Sequence, residues 1–72
     1  MKIGERIKKI RKEMNFTQEE FAHKLKLHPK QLSKYESERS TPMPDMLVRI
    51  AAFCEISIDY LILGEDKGFM KK

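Results

Sequence analysis

Lys30, Gln31, Ser33 and Lys34 are the side chains whose types and spacing could do specific chemistry as a group. They place hydrogen-bond donors and acceptors within five residues. The two lysines stand four apart, on one face if the segment is helical. An ammonium group there can reach guanine O6 and N7 in a major groove, or a phosphate oxygen. The alternative is a solvated basic face. Charge bears on the choice without settling it. The net charge is +4, and residues 1–39 hold 11 Lys/Arg against 6 Asp/Glu, a balance of +5, which leaves −1 for residues 40–72. A basic front half fits a polyanionic partner.

Other chemistries find no support. His23 and His28 have no carboxylate or nucleophile spaced with them as a catalytic set, and no glycine-rich phosphate loop or acid–base pair stands elsewhere, so no enzyme activity is expected. One cysteine and two histidines outside ligand spacing make no metal cluster, and no cofactor is implied. Cys54 has no disulfide partner. With Phe53 and Ala52 beside it, it reads as a reduced, buried thiol in a cytoplasmic protein. The longest apolar run, Ile50 to Cys54, is far short of the roughly 18 residues a membrane span needs, and no signal peptide is apparent.

The elements that must position Lys30 to Lys34 follow from periodicity. Ile3, Ile7, Ile10 and Met14 recur at helical steps, with Lys8, Lys9 and Lys12 off the stripe and Asn15 interrupting it. Thr17-Gln18-Glu19-Glu20 is a capping box that starts a second helix, buried through Phe21, Ala22 and Leu25, and Phe16 can staple onto Phe21. Lys26-Leu27-His28 is a short connector. Pro29 opens a third helix, where its missing N–H costs nothing, and Leu32 and Tyr35 give that helix its buried side. Residues 37–43 form a loop broken at Thr41-Pro42. Pro44 opens a fourth helix, with Asp45 in its first turn and Leu47, Ile50, Ala51 and Cys54 inward. Ser57 caps a short fifth helix containing Ile58, Leu61 and Ile62, and Gly64 ends it. No stretch alternates with a strand period, so the fold class is all-α. Residues 1–64 form one domain, and residues 65–72 are expected to be a loose tail, apolar only at Phe69 and Met70. A domain this small buries only about 60% of its unfolded surface, and pairing with a second copy would add burial.

Two short helices joined by a three-residue connector suggest a helix-turn-helix. Phe21, Leu25, Leu27, Leu32 and Tyr35 fall where such helices bury against each other, and Ala22 where they cross most closely. From Ile3 to Gly64 the chain resembles the Xre/Cro-like helix-turn-helix family of phage and bacterial repressors. The likeness rests on Ile3-Gly4-Glu5-Arg6-Ile7, Arg11-Lys12, Thr17-Gln18-Glu19-Glu20-Phe21-Ala22, Leu32-Ser33-Lys34-Tyr35-Glu36, Arg39-Ser40-Thr41-Pro42 and Ser57-Ile58-Asp59-Tyr60-Leu61. It implies a compact five-helix bundle of the lambda repressor-like kind. Three positions depart from the pattern. Lys26 and Glu38 stand where the family commonly has glycine, and His28 stands where a Ser or Thr cap is typical. If Lys26 must be left-handed, that costs roughly 1 kcal/mol.

The resemblance also implies roles. Pro29, Lys30, Gln31, Ser33 and Lys34 would face base edges from a recognition helix, with Pro29 offering only apolar contact. Thr17, Gln18, His28, Tyr35, Arg39 and Ser40 would stand near phosphates. Tyr35 is core first, with its hydroxyl at the rim. Arg11 and Glu36 match a partly buried salt bridge tying the first helix to the end of the recognition helix. The expected function is sequence-specific binding of a double-stranded DNA operator as a repressor, by a homodimer paired through the C-terminal helix. A protein-interaction module, antitoxin or adaptor, is the rival. Its sign would be an exposed apolar surface, for which Tyr60, Ile62, Phe69 and Met70 are the candidates.

Overall fold

The computed structural model describes residues 2–64, which form five helices: α1 Ile3–Glu13, α2 Gln18–Leu25, α3 Pro29–Glu36, α4 Pro44–Cys54 and α5 Ile58–Leu63. No strand occurs among the described residues. The expectations for Phe69 and Met70 and for the tail lie outside them.

Four of the five starts are set by local chemistry. Thr17 Oγ1 accepts from the Glu20 amide at 3.1 Å, and Glu20 Oε1 accepts from the Thr17 amide at 2.9 Å, the reciprocal bonds of a capping box. Ser57 Oγ accepts from the Tyr60 amide at 2.9 Å. Pro29 and Pro44 occupy the first turns of α3 and α4.

The ends are built differently. Asn15, Lys26, Glu38 and Glu55 all have left-handed backbone, with φ between 58° and 69°. In each case the left-handed residue gives its N–H to the carbonyl three back, and the next residue gives its N–H to the carbonyl five back. The bonds are Asn15 to Lys12 and Phe16 to Arg11, Lys26 to His23 and Leu27 to Ala22, Glu38 to Tyr35 and Arg39 to Lys34, Glu55 to Ala52 and Ile56 to Ala51. This double bond is the Schellman ending, which satisfies carbonyls that a helix leaves open. α1 to α4 therefore end the same way without glycine. Only α5 uses Gly64, at φ 83°.

The core joins all five helices. Ile7 and Ile10 of α1 meet Phe21, Ala22 and Leu25 of α2, Leu32 and Tyr35 of α3, Leu47, Ile50 and Ala51 of α4, and Leu61 of α5. Phe16, Phe21 and Phe53 form a triangle of rings with centroids 5.9 to 6.1 Å apart, so the staple onto Phe21 is made and extends to α4. Three positions on α4 and α5 differ from simple burial. Cys54 is half-buried, and of the three apolar residues expected on α5 only Leu61 is fully inside. α1 lies so close to α3 that a Cβ at Gly4 would collide with the Tyr35 carbonyl oxygen and the Glu38 carboxylate.

Candidate nucleic-acid interface

α3 turns Leu32, Tyr35 and Glu36 inward, which leaves Lys30 and Lys34 exposed and Gln31, Ser33 and Pro29 half-buried. Those five side chains therefore share the outward side of one short helix. The helix is aimed by the connector before it. Lys26 bends the chain through its left-handed backbone, Leu27 tucks against the core, and His28 Nδ1 accepts from the Lys30 amide at 3.1 Å. This bond makes the exposed His28 the N-cap of α3, in place of a hydroxyl or carboxylate. Its Nδ1 must carry no proton to accept.

The second anion-attracting end is that of α2. The first amides of a helix lack intrahelical partners and carry partial positive charge. Thr17 Oγ1 and Glu20 serve the cap, which leaves the amides of Gln18 and Glu19 at the helix end. Glu19 and Glu20 stand in the same turn and oppose an anion there. The side chain of Gln18 is drawn inward, and its Nε2 donates to Glu36 Oε1 at 2.9 Å. Its backbone amide is thus what it offers outward.

Glu36 is the hub of a buried network. Arg11 Nε reaches Glu36 Oε2 at 2.8 Å and Arg11 Nη2 reaches Oε1 at 3.2 Å, a side-by-side pair with both residues buried. Arg11 Nη1 donates to the Phe16 carbonyl at 2.8 Å. One carboxylate thus ties the end of α1, the start of α2 and the end of α3. Removing either partner would leave a buried charge alone, so the pair's merit is fixed geometry rather than large net stability.

Beyond α3, Arg39 is exposed and Ser40 half-buried, and both amides donate to the Lys34 carbonyl, at 2.9 and 3.3 Å. Their side chains stand just past the end of α3. Tyr35 is 7% exposed and belongs to the core, which leaves only its rim to solvent. Thr17 is exposed, with its hydroxyl committed to the cap.

Sequence reasoning gave no role to three further polar groups. Arg6, 3% exposed, donates from Nη1 to the Leu61 carbonyl at 3.0 Å. Arg49 Nη1 donates to the Leu25 carbonyl at 3.0 Å, supporting the end of α2. Glu38 Oε2 accepts from the Glu5 amide at 3.3 Å. For Arg6 a signal existed, because position 6 falls on the stripe of Ile3, Ile7 and Ile10. Among the described residues no group of three or more His, Cys, Asp or Glu could hold a metal, and no helix is long and apolar enough to cross a membrane.

Comparison with known proteins places this geometry. A helix-turn-helix domain family model matches residues 4–67. The chain is 37% identical over 67 residues to the HTH-type transcriptional regulator ImmR of Bacillus subtilis, covering 93% of this chain and 52% of that protein. It is 43% identical over 61 residues to the cryptic phage CTXphi transcriptional repressor RstR of Vibrio cholerae, covering 85% of this chain and 54% of that one. The chain thus spans about half the length of these relatives. Among solved structures, it superposes on the P22 c2 repressor protein in complex with a synthetic operator with a TM-score of 0.84, at 25% identity, over 90% of this chain and 98% of that one. SinR, the master regulator for biofilm formation, in complex with DNA, gives a TM-score of 0.76 at 33% identity, over 82% of this chain and 95% of that one. On its sequence and on its five-helix architecture, this chain belongs to the Xre/Cro-like helix-turn-helix family of transcriptional regulators.

Proposed function

We propose that this chain binds double-stranded DNA sequence-specifically and represses transcription by occupying an operator, with α3 in the major groove. The observation that carries this reading is the outward side of α3. Lys30, Gln31, Ser33 and Lys34 stand there behind a left-handed turn, in a fold whose solved neighbours are regulators on DNA. Pro29 and these four read bases. The start of α2, where Thr17 stands and the Gln18 amide is open, and His28, the rim of Tyr35, Arg39 and Ser40 flank them toward phosphates, which supply affinity and register but no sequence choice. The protein acts in the cytoplasm as a homodimer, through α5, on a two-fold symmetric site. No catalytic step is assigned to it.

Two variants separate base reading from phosphate attraction at one fixed salt concentration. Lys34→Ala costs roughly 1–3 kcal/mol on the preferred site and relaxes the choice at one base pair. Arg39→Ala weakens all sequences alike and lowers the salt slope by about one unit. Gel retardation on preferred and random duplexes measures both. Equal loss on both duplexes for Lys34→Ala would reassign that lysine to a phosphate. No effect of either variant at any salt would overturn DNA binding and favour a protein-interaction role. Ile58, Ile62 and Leu63, 36%, 40% and 55% exposed, would then be the docking surface.

A further inference from the structure

Arg6 is a fully charged side chain in the interior of a small domain, and packing does not account for it. An apolar residue on the same stripe would fill space without the desolvation of a guanidinium. A planar fork instead fixes direction, because its donors leave at set angles. Here the fork is fixed onto the end of α5. Nη1 donates to the Leu61 carbonyl at 3.0 Å, and a Cβ on Gly64 would stand 2.8 Å from Nη2. Gly64 is favoured by its φ of 83°, and a Cβ there would also push the guanidinium aside. Helix α5 has six residues, too few to hold a helix by itself, and its last carbonyls face a cation where the helix dipole favours one.

The neighbours of Arg6 in sequence grip a different element. Gly4 lets the α1 backbone approach the Tyr35 carbonyl at the end of α3, and the Glu5 amide donates to the Glu38 carboxylate just beyond it. Three consecutive residues in the first turn of α1 thus join the end of α3 to the end of α5.

We propose that Arg6 is a positioning residue for operator spacing: it fixes the angle between α5, which carries the dimer surface, and the recognition helix. This inference rests on the α5 dimer proposed above. The lever is long enough to matter. Recognition helices of paired domains lie about 34–36 Å apart, so a tilt of about 10° at the interface, acting over half that span, moves each helix by about 3 Å. That displacement is at right angles to the line joining the helices, the direction in which a base pair added between half-sites carries one of them by turning it about a tenth of a turn around the duplex axis.

The test uses the full chain and symmetric duplexes built from a site selected out of a random pool. One duplex has the selected spacing, two have one base pair added or removed between half-sites, and one holds a single half-site. Arg6→Lys keeps the charge and loses the fork. The wild type loses about tenfold or more in affinity when the spacing changes, whereas Arg6→Lys loses about threefold or less and keeps its single half-site affinity within about twofold. A spacing preference in Arg6→Lys identical to the wild type overturns the proposal. Equal loss on every duplex, the single half-site included, also overturns it, because Arg6 would then only support the fold. Thermal unfolding accompanies each measurement. Gly64→Ala disturbs the same guanidinium with Arg6 retained, and it supplies the same readout if Arg6→Lys does not fold. A wild type that binds the single half-site as tightly as any paired site overturns the dimer reading itself, an outcome distinct from a failure of Arg6.

Discussion

The left-handed residues carry a cost that a single substitution can expose. Lys26 and Glu55 each hold φ near 60° with exposed side chains, so neither gains packing in return. Lys26→Gly and Glu55→Gly should each stabilise the domain by roughly 0.5–1 kcal/mol, and the two should add because the sites are independent. Urea unfolding measures this, and a loss of stability at Lys26 would mean that its side chain makes contacts absent from the structure. Glu38→Gly should gain less, since it removes the acceptor of the Glu5 amide. Cys54 offers a second residue-scale test. Burial pushes its thiol up from 9.0 to about 11, because the thiolate loses hydration there. The folded protein should therefore alkylate at pH 8 about tenfold or more slowly than the unfolded chain, since only the thiolate reacts and its greater nucleophilicity offsets part of the loss. The rate should climb toward the unfolded value as pH approaches 11. Equal rates at pH 8 would show an accessible, ordinary thiol. The shift also has a sign for stability. A folded pKa raised above the unfolded one gives a contribution that is present below about 9 and lost as pH rises through about 11.

At the scale of elements, helix starts were more legible than helix ends. Thr17, Pro29, Pro44 and Ser57 announce starts because capping is settled within three or four residues of sequence. Asn15 and Gly64 mark two ends, but those at Lys26, Glu38 and Glu55 carry neither glycine nor asparagine, and only likeness to a family marked Lys26 and Glu38 as left-handed. The groups that lock elements together were the least legible. Arg6 and Leu61 lie 55 residues apart and Arg49 and Leu25 lie 24 apart, and nothing local names a carbonyl as a partner. The Arg11–Glu36 pair came from resemblance, while the bond from Gln18 to the same carboxylate did not. The cap at His28 makes the connector testable. His28→Ala should cost about 1 kcal/mol of stability, the usual worth of an N-cap, and His28→Asp should recover it. On DNA the order changes, since an aspartate at the mouth of the recognition helix repels phosphate. His28→Asp should bind all sequences more weakly than the wild type despite its stability. Retardation at two salt concentrations, beside thermal unfolding, measures the pair. An aspartate that stabilised the fold and left affinity untouched would place His28 away from the phosphates.

At the scale of the whole molecule, five large apolar side chains among the described residues lie outside, three on α5 and two at α4. Ile58, Ile62 and Leu63 lie exposed within one six-residue helix, while the buried Leu61 anchors that helix to the core. A domain this small has little core to spare, and an exposed apolar helix on it fits the α5 pairing proposed above. The legible part of this was the apolar composition of residues 58–62. Which of them turn outward required the fold, because a helix under two turns long has too few residues to define a stripe. Ile62→Ser removes apolar surface without adding charge near DNA, and at 40% exposure it should change monomer stability little. Sedimentation should then show a monomer at concentrations where the wild type pairs. Affinity for a two-half-site duplex should fall toward that for one half-site, while single half-site affinity stays put. These two readouts must move together if α5 is the interface, because a dimer gains on DNA only by making the second half-site contact intramolecular. Unchanged sedimentation with Ile62→Ser would move the interface elsewhere. The other exposed large apolar side chains are Met43 and Val48, at the start of α4 and along it, 68% and 57% exposed. Pairing there would set the recognition helices at a different separation, and the preferred operator spacing would report the change.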